Sequence, residues 1–289
     1  MTRVLLDRRA GFCAGVKKAI RRARNEAGKR GNVVSYGELI HNPQVIKSLT
    51  EEGIRVKYNL EEIAGHEIVI VRAHGIPPNE EEWLKNNQRE YLDLTCRRVK
   101  DIHRTIIKHR EAGYFIVIVG NPDHPEVKGH LGYAGKSARV IDSVKNAHAF
   151  FASFKNPKSR LLVLAQTTIS PGLYDRVVAV LKEHKLQVSP INTLCPFVLK
   201  RQDWLRKFSL LADASIIIGG RNSSNTGKLF DIASKNGPVF WLTSAQELEA
   251  GLILQYPLVA LTAGASTPLE ALIEVSDILA AHGALIEPA

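Results

Sequence analysis

An α/β fold built from three similar units is what this sequence predicts, on three observations. Short β-branched runs recur along the chain, each followed by a polar or glycine-bearing loop and then a helical stretch, as in strand–helix–strand units with parallel strands. These runs are continuously apolar rather than alternating, as strands buried on both faces are. Three cysteines, Cys13, Cys96 and Cys195, each follow a short extended segment and precede a basic helical stretch, so the pattern repeats at about 100 residues. A length of 289 residues alone suggests about two domains. The repeat overrides that prior and divides the chain at 1–97, 98–193 and 194–289.

Each element has a local reason. Val4-Leu5-Leu6, Tyr91-Leu92-Asp93-Leu94 and Leu186-Gln187-Val188 are the extended segments before the cysteines, and Ala14 to Arg24, Arg97 to Arg110 and Pro196 to Lys207 are the basic helices after them. Gly28-Lys29-Arg30-Gly31-Asn32 reads as a turn. The buried strands are expected at Val33 to Tyr36, Ile68 to Val71, Phe115 to Val119, Leu161 to Leu164, Ser215 to Ile218 and Leu258 to Leu261. The loops after them carry His41-Asn42-Pro43, Arg72-Ala73-His74-Gly75, His124-Pro125-Glu126, Gln166-Thr167-Thr168, Arg221-Asn222-Ser223-Ser224-Asn225 and Gly264-Ala265-Ser266. Ligands of open α/β sheets bind beyond the carboxyl ends of the strands, so six such loops point to one polar site built from several sheets.

Composition narrows the function. With 45% hydrophobic and 24% charged residues the chain is a globular protein with a core. No apolar run reaches the roughly 18–20 residues of a membrane span, and the N-terminus lacks the apolar stretch of a signal peptide, so the cytoplasm is the expected compartment. The net charge of +10 implies an anionic partner. Nucleic acid is disfavoured, because aromatic residues make up only 7% and no binding module is recognisable. Membrane association is not expected.

A lone cytosolic cysteine is more often a small buried hydrophobe than a ligand. Three in the same strand–cysteine–basic helix setting favour thiolates, because a helix N-terminus and nearby Lys or Arg stabilise that form. Lys17, Lys18, Arg21, Arg97, Arg98, Lys100, Lys200 and Arg201 lie close in sequence to the cysteines, although most residues of a basic helix, taken singly, are expected on a solvated face. Three thiolates suit zinc with one open position, as in a hydrolase, or a cubane iron–sulfur cluster with one iron left vacant. The cysteines alone do not choose between them. His41, His74 and His124, with Ser223, Ser224, Asn225 and Ser266, make an anion cradle suited to a diphosphate. Glu126, where a helix could begin, either supplies favourable charge to the helix N-terminus or delivers a proton to a leaving hydroxyl. The remaining histidines, His103 and His130 among them, read as helix or surface residues. The segment Gly219 to Lys228 lacks the glycine spacing of a phosphate loop and has Leu229 where a hydroxyl should bind magnesium. No G-x-G-x-x-G follows a strand, so a nicotinamide site is not supported.

In order along nearly the whole chain, the blocks Gly11-Phe12-Cys13-Ala14-Gly15-Val16, His41-Asn42-Pro43, Ala73-His74-Gly75, Asp93-Leu94-Thr95-Cys96, His124-Pro125-Glu126-Val127, Gln166-Thr167-Thr168, Thr193-Leu194-Cys195, Arg221 to Asn225 and Thr262-Ala263-Gly264-Ala265-Ser266 resemble the 4-hydroxy-3-methylbut-2-enyl diphosphate reductase (IspH/LytB) family. The resemblance implies three α/β domains in pseudo-threefold arrangement around a central [4Fe-4S] cluster held by Cys13, Cys96 and Cys195. It implies a cytoplasmic oxidoreductase of the non-mevalonate pathway that removes the allylic hydroxyl reductively to give isopentenyl and dimethylallyl diphosphate. His41, His74, His124, Ser223, Ser224, Asn225 and Ser266 would hold the diphosphate, Glu126 would supply protons and Thr167 would orient the substrate alcohol. Electrons would come from a ferredoxin or flavodoxin. The chain departs from the family pattern at Arg97, Asn192 and Val198, where relatives often carry Pro, Asp and Thr. A diverged paralogue acting on another phosphorylated substrate is the alternative within the family.

Overall fold

The β-branched runs become the central strands of parallel sheets in the computed structural model, which describes residues 1–154, 156, 158–184 and 186–289. In chain order the strands are β1 (Arg3–Leu6), β2 (Val33–Tyr36), β3 (Arg55–Lys57), β4 (Ile68–Val71), β5 (Tyr91–Asp93), β6 (Phe115–Val119), β7 (Ala138–Ile141), β8 (Arg160–Ala165), β9 (Gln187–Pro190), β10 (Ala214–Ile218), β11 (Val239–Leu242), β12 (Leu258–Ala263) and β13 (Leu285–Pro288). The helices are α1 (Ala14–Arg30), α2 (Pro43–Glu51), α3 (Pro78–Asn86), α4 (Arg97–Glu111), α5 (Pro125–Ala134), α6 (Val144–Ser153), α7 (Pro171–Glu183), α8 (Pro196–Ser209), α9 (Ser224–Ala233), α10 (Ala250–Ile253) and α11 (Leu269–Ala281).

The chain divides into two compact units, the first of Met1–Arg24, Ile40–Ile54 and Pro196–Ala289, the second of Asn25–Leu39 and Arg55–Cys195. The first holds one sheet in the order β11-β10-β12-β1-β13, and the second holds two, β3-β2-β4-β5 and β7-β6-β8-β9. Every strand pairing is parallel. The expected mixed α/β class with three parallel sheets is therefore what the chain adopts.

The three sheets share one strand order. In the second unit the sequence order of strands across each sheet is second, first, third, fourth. In the first unit β11, β10 and β12 take the same places, and the fourth is taken by β1 from the other end of the chain. β1 pairs with β12 in register, Val4 opposite Val259 and Leu6 opposite Leu261. The N-terminal strand thus belongs with the last third of the sequence, not with the first third that follows it. The reason is local: β2 to β5 already complete a four-stranded sheet, whereas β12 offers an open edge that buries Val4 fully.

The strands flanking the first–third junction are the most apolar. Ile116 to Val119, Leu161 to Ala165 and Ile216 to Ile218 are wholly buried, covered by helices on both faces. The outer strands β3, β7 and β11 are only partly buried, and β3 carries Arg55 and Lys57 and β7 carries Arg139, which suits sheet edges. Two boundaries differ from the sequence expectation. Helix α1 runs through Gly28 and Lys29 to Arg30, and the turn itself is made by Gly31 at φ +73°, a left-handed conformation that glycine adopts freely.

Candidate functional site

Each cysteine occupies the same structural position. It follows the fourth-position strand of its sheet (β1, β5 or β9) and immediately precedes a helix, α1, α4 or α8. The backbone N–H of Cys13 donates to Ala265 O at 3.2 Å, that of Cys96 to Ala73 O at 3.0 Å and that of Cys195 to Thr167 O at 2.9 Å. Those acceptors all lie in loops that leave a third-position strand, so one hydrogen-bond pattern ties each cysteine to its sheet. An acidic or amide side chain shapes the turn before each one. Asp7 Oδ1 accepts from Arg9 N at 3.0 Å, Asp93 Oδ1 from Thr95 N at 2.9 Å and Asn192 Oδ1 from Leu194 N at 3.0 Å. Asn192 therefore makes the same i to i+2 turn bond as the two aspartates, which an amide oxygen does as well as a carboxylate. Arg97 projects into solvent and Val198 is buried. All three cysteines are half-buried, and among the described residues none is in a disulfide. The Val16 N–H points at Cys13 Sγ at 3.4 Å, a contact that favours the thiolate.

In the first unit Arg201 braces the Cys13 loop. Its guanidinium donates to Ala263 O and Arg9 O, each at 3.0 Å, and to Gly11 O, and it stacks over Phe197. Only 2% of Arg201 is exposed. Burial pulls its pKa down to about 10, with Asp7 and Cys13 opposing that shift. Most of the basic residues near the cysteines lie on a solvated face as expected, and Arg201 is the exception because α8 turns it inward against three carbonyls.

The first unit also gathers His41, just before α2, with Ser223, Ser224, Asn225 and Ser266 on the loops after β10 and β12. The Ser223 hydroxyl caps α9 by accepting from Thr226 N at 3.3 Å. The Ser266 hydroxyl donates to His41 O at 3.1 Å. Asn225 is buried, and neither its Nδ2 nor its Oδ1 has a hydrogen-bond partner among the described residues. An unsatisfied buried amide at the start of a helix suits an anionic ligand with several acceptor oxygens.

In the second unit His124 caps α5, its Nδ1 accepting from Glu126 N at 3.2 Å. The His74 and His124 rings meet edge-on with centroids 5.4 Å apart. Glu126 is buried beneath them. Its Oε1 accepts from Thr167 N and its Oε2 from the Thr167 hydroxyl, both at 2.7 Å. Since Thr167 O in turn accepts from Cys195 N, a continuous hydrogen-bonded chain runs from Glu126 through Thr167 to a cysteine. His130, one helical turn on, places Nε2 3.3 Å from Glu126 Oε1, within charge contact but off the line of a hydrogen bond. Burial alone would raise the Glu126 pKa. His130, His124 and the Thr167 N–H outweigh it and bring the value down to about 2, so the resting carboxyl is ionised.

His103 and His130, expected as helix or surface residues, are both buried. His130 was legible in principle, since residues i and i+4 share a helix face and it stands four after Glu126. His103 and Arg201 carried no such mark, because inward rotation of a basic helix depends on what it packs against.

Comparison with known proteins agrees with this arrangement. A family model described as LytB protein matches residues 4–280. The 4-hydroxy-3-methylbut-2-enyl diphosphate reductase of Clostridioides difficile is 34% identical over 266 residues, 92% of this chain and 94% of its own length. The protein of the same name from Caldanaerobacter subterraneus is 36% identical over 272 residues, covering 92% of each chain. Among solved structures, the E-1-hydroxy-2-methyl-but-2-enyl-4-diphosphate reductase from Plasmodium falciparum has a TM-score of 0.92 at 26% identity, covering 99% of this chain and 91% of its own. A structure described as (E)-4-hydroxy-3-methyl-but-2-enyl diphosphate reductase, the terminal enzyme of the non-mevalonate pathway, has a TM-score of 0.70 at 32% identity, covering 97% of this chain and 100% of its own. On the family match and these identities, the chain belongs to the LytB family.

Proposed function

We propose that this protein is a 4-hydroxy-3-methylbut-2-enyl diphosphate reductase, an oxidoreductase that removes the allylic hydroxyl of its substrate in the last step of the non-mevalonate isoprenoid pathway. The observation that carries the reading is the hydrogen-bonded run Glu126–Thr167–Cys195, which ties a buried carboxylate to the backbone of a candidate metal ligand through one residue. The donor set fits a [4Fe-4S] cluster. Cys13, Cys96 and Cys195 each immediately precede a helix and, among the described residues, none is in a disulfide, so three soft sulfur donors can serve as ligands. When bound, such a cluster supplies electrons and a Lewis-acidic iron. We read the chain as three α/β domains, 1–97, 98–193 and 194–289, with β1 contributed to the sheet of the third.

The remaining chemistry falls to the side chains. His41, Ser223, Ser224, Asn225 and Ser266, with His74 and His124, bind the diphosphate through hydroxyls, amides, imidazoles and the α9 N-terminus. Thr167 orients the substrate alcohol while its own hydroxyl stays bonded to Glu126. Reductive removal of a hydroxyl, R–OH + 2 e⁻ + 2 H⁺ → R–H + H₂O, consumes two protons, and Glu126 hands one to the departing oxygen. The resting carboxylate must first take that proton up. An anionic diphosphate against His74 and His124 favours uptake, because a nearby like charge raises a carboxyl pKa. A ferredoxin or flavodoxin supplies the electrons, and the basic protein suits a donor with an acidic face. The cytoplasm is the proposed compartment. Among the described residues no helix is long and apolar enough to cross a membrane.

Two measurements on anaerobically purified protein test the reading. Iron and sulfide should each approach about four per chain, and the reduced protein should consume the allylic diphosphate. Zinc in place of iron would redirect the assignment to a hydrolase. A cluster-bearing protein that binds diphosphate without turning over would end the catalytic claim.

A further inference from the structure

Behind Glu126 the second unit contains a second polar feature that diphosphate binding does not use. The His130 ring meets the His103 ring edge-on, centroids 5.1 Å apart, and His103 stacks on Tyr133 at 4.0 Å. His130 Nδ1 and His103 Nε2 are both buried and have no hydrogen-bond partner among the described residues. Leaving one such nitrogen unpaired is costly and two in adjacent rings are rarer still. His103 also lines a cavity of about 200 Å³ whose wall includes Asp93, Lys100, Arg104, Ile107 and Tyr133. The rim is wet, since Arg104 is largely exposed and Lys100 partly so.

We propose that His130 and His103 form a proton-supply path from this cavity to Glu126, acting as positioning residues through that carboxyl. The proposal rests on the reductase reading. An imidazole takes a proton at one ring nitrogen and releases it from the other. A proton from cavity water enters at His103, passes across the facing rings to His130, and leaves His130 Nε2 for Glu126 Oε1, 3.3 Å away, once a small rotation of the His130 ring brings the two into line. Each transfer moves one N–H or O–H bond, and the electrons of the reaction come from the external redox donor. The need is plain from the stoichiometry: two protons are consumed per turnover, while the buried Glu126 carboxyl holds one at most. Burial, and then His130, bring the His103 pKa down to about 3, so His103 is neutral and conducts rather than stores. The charged and titratable groups around the pair are Glu126 and His124 on α5 and its N-cap, Asp93 and Tyr91 on β5, Lys100 and Arg104 on α4, Glu81 on α3, and the Tyr133 phenol that donates to Glu81.

The test uses the reconstituted holoenzyme and reads kcat, KM and the pH profile of kcat. Three variants are compared with the unaltered protein. His103→Phe keeps the stack on Tyr133 but removes both nitrogens, His130→Gln keeps a polar neighbour for Glu126 that cannot relay, and Ile107→Trp fills the cavity while leaving both histidines in the chain. A relay predicts that kcat falls about tenfold or more in the histidine variants, within the range of general acid–base contributions. KM should stay within about twofold, and the loss should deepen as pH rises. Ile107→Trp should slow turnover in the same pH-dependent way. Turnover within twofold of the unaltered protein with the same pH profile overturns the relay, as does a loss equal at every pH. Should the histidine variants melt too low to assay, Ile107→Trp decides alone, slowed turnover supporting the path and unchanged turnover refuting it. An unaltered holoenzyme that never consumes the allylic diphosphate sinks the reductase reading and the relay with it, whereas normal turnover beside unaffected variants sinks only the relay.

Discussion

Replacing Arg201 by Met tests how the Cys13 loop is held, independently of catalysis. Met matches the length of the Arg stem and leaves no charge. Three carbonyls, of Arg9, Gly11 and Ala263, lose their donor. Hydrogen bonds from a charged donor contribute roughly 1.5–3 kcal/mol each, so the three together are worth about 4–9 kcal/mol. Against that stands the burial of the guanidinium. Its pKa of about 10, against an ordinary 12.5, corresponds to about 3 kcal/mol of unfavourable desolvation that the variant no longer carries. The difference is a net loss of about 1–6 kcal/mol. For a unit of this size each kcal/mol moves the melting temperature by roughly 2–4 °C. The unfolding transition of the first unit should therefore fall by about 2–24 °C in calorimetry, and the amides of residues 9–13 should exchange faster. Arg201→Lys should lie between, because an ammonium lacks the planar fork that reaches several carbonyls at once. A melting curve within about 1 °C of the unaltered protein would show that the carbonyls have other partners and that the brace does not exist.

The remaining predictions follow the same physics. Glu126→Gln should lower kcat by about 10² or more with substrate binding retained, and Thr167→Val by less, since the N–H bond to the carboxylate survives; equal rates in steady-state assays would refute both roles. Acid should destabilise the second unit from two directions. The depressed Glu126 pKa gives stability that is present above about 4.5 and lost as pH falls toward about 2. The depressed His103 pKa means that the unfolded chain gains a proton below about 6.5 that the fold resists until about 3, so urea midpoints should already drop between pH 6.5 and 4. His103→Phe should flatten that early slope, and an unchanged slope would contradict the burial argument. In the first unit a Cβ at Gly264 would collide with the buried Thr226 hydroxyl, and in the second a Cβ at Gly132 would meet the Pro77 ring. Both Gly→Ala changes should cost about 1–3 kcal/mol. Gly28→Ala, with nothing within 4 Å in helix α1, should instead stabilise by about 0.5–1 kcal/mol, as thermal melts can compare directly.

Much of the architecture could be read from residue order. Six central strands announced themselves as β-branched runs because strands buried on both faces need apolar residues at every position. The edge strands β3, β7 and β13 did not, since an edge tolerates Arg55, Lys57, Arg139 and Glu287. The loops after the central strands stood out by their polar residues, and the structure places them at the carboxyl ends of the first- and third-position strands in every sheet. Asn192 read as a departure, yet it repeats the turn bond of Asp7 and Asp93, because that bond asks only for an oxygen at the right reach.

Residue order determined the fold class, the spacing of the three cysteines, the polar loops and the helix starts, because these follow from periodicity, chain chemistry and neighbours a few positions away. Tertiary structure alone decided that β1 closes the sheet of the far end of the chain, that Arg201 turns inward, and that His103 and His130 lie side by side behind Glu126. Strand pairing and helix rotation depend on which surfaces remain to be covered once the other elements have packed, and no local stretch of sequence carries that information.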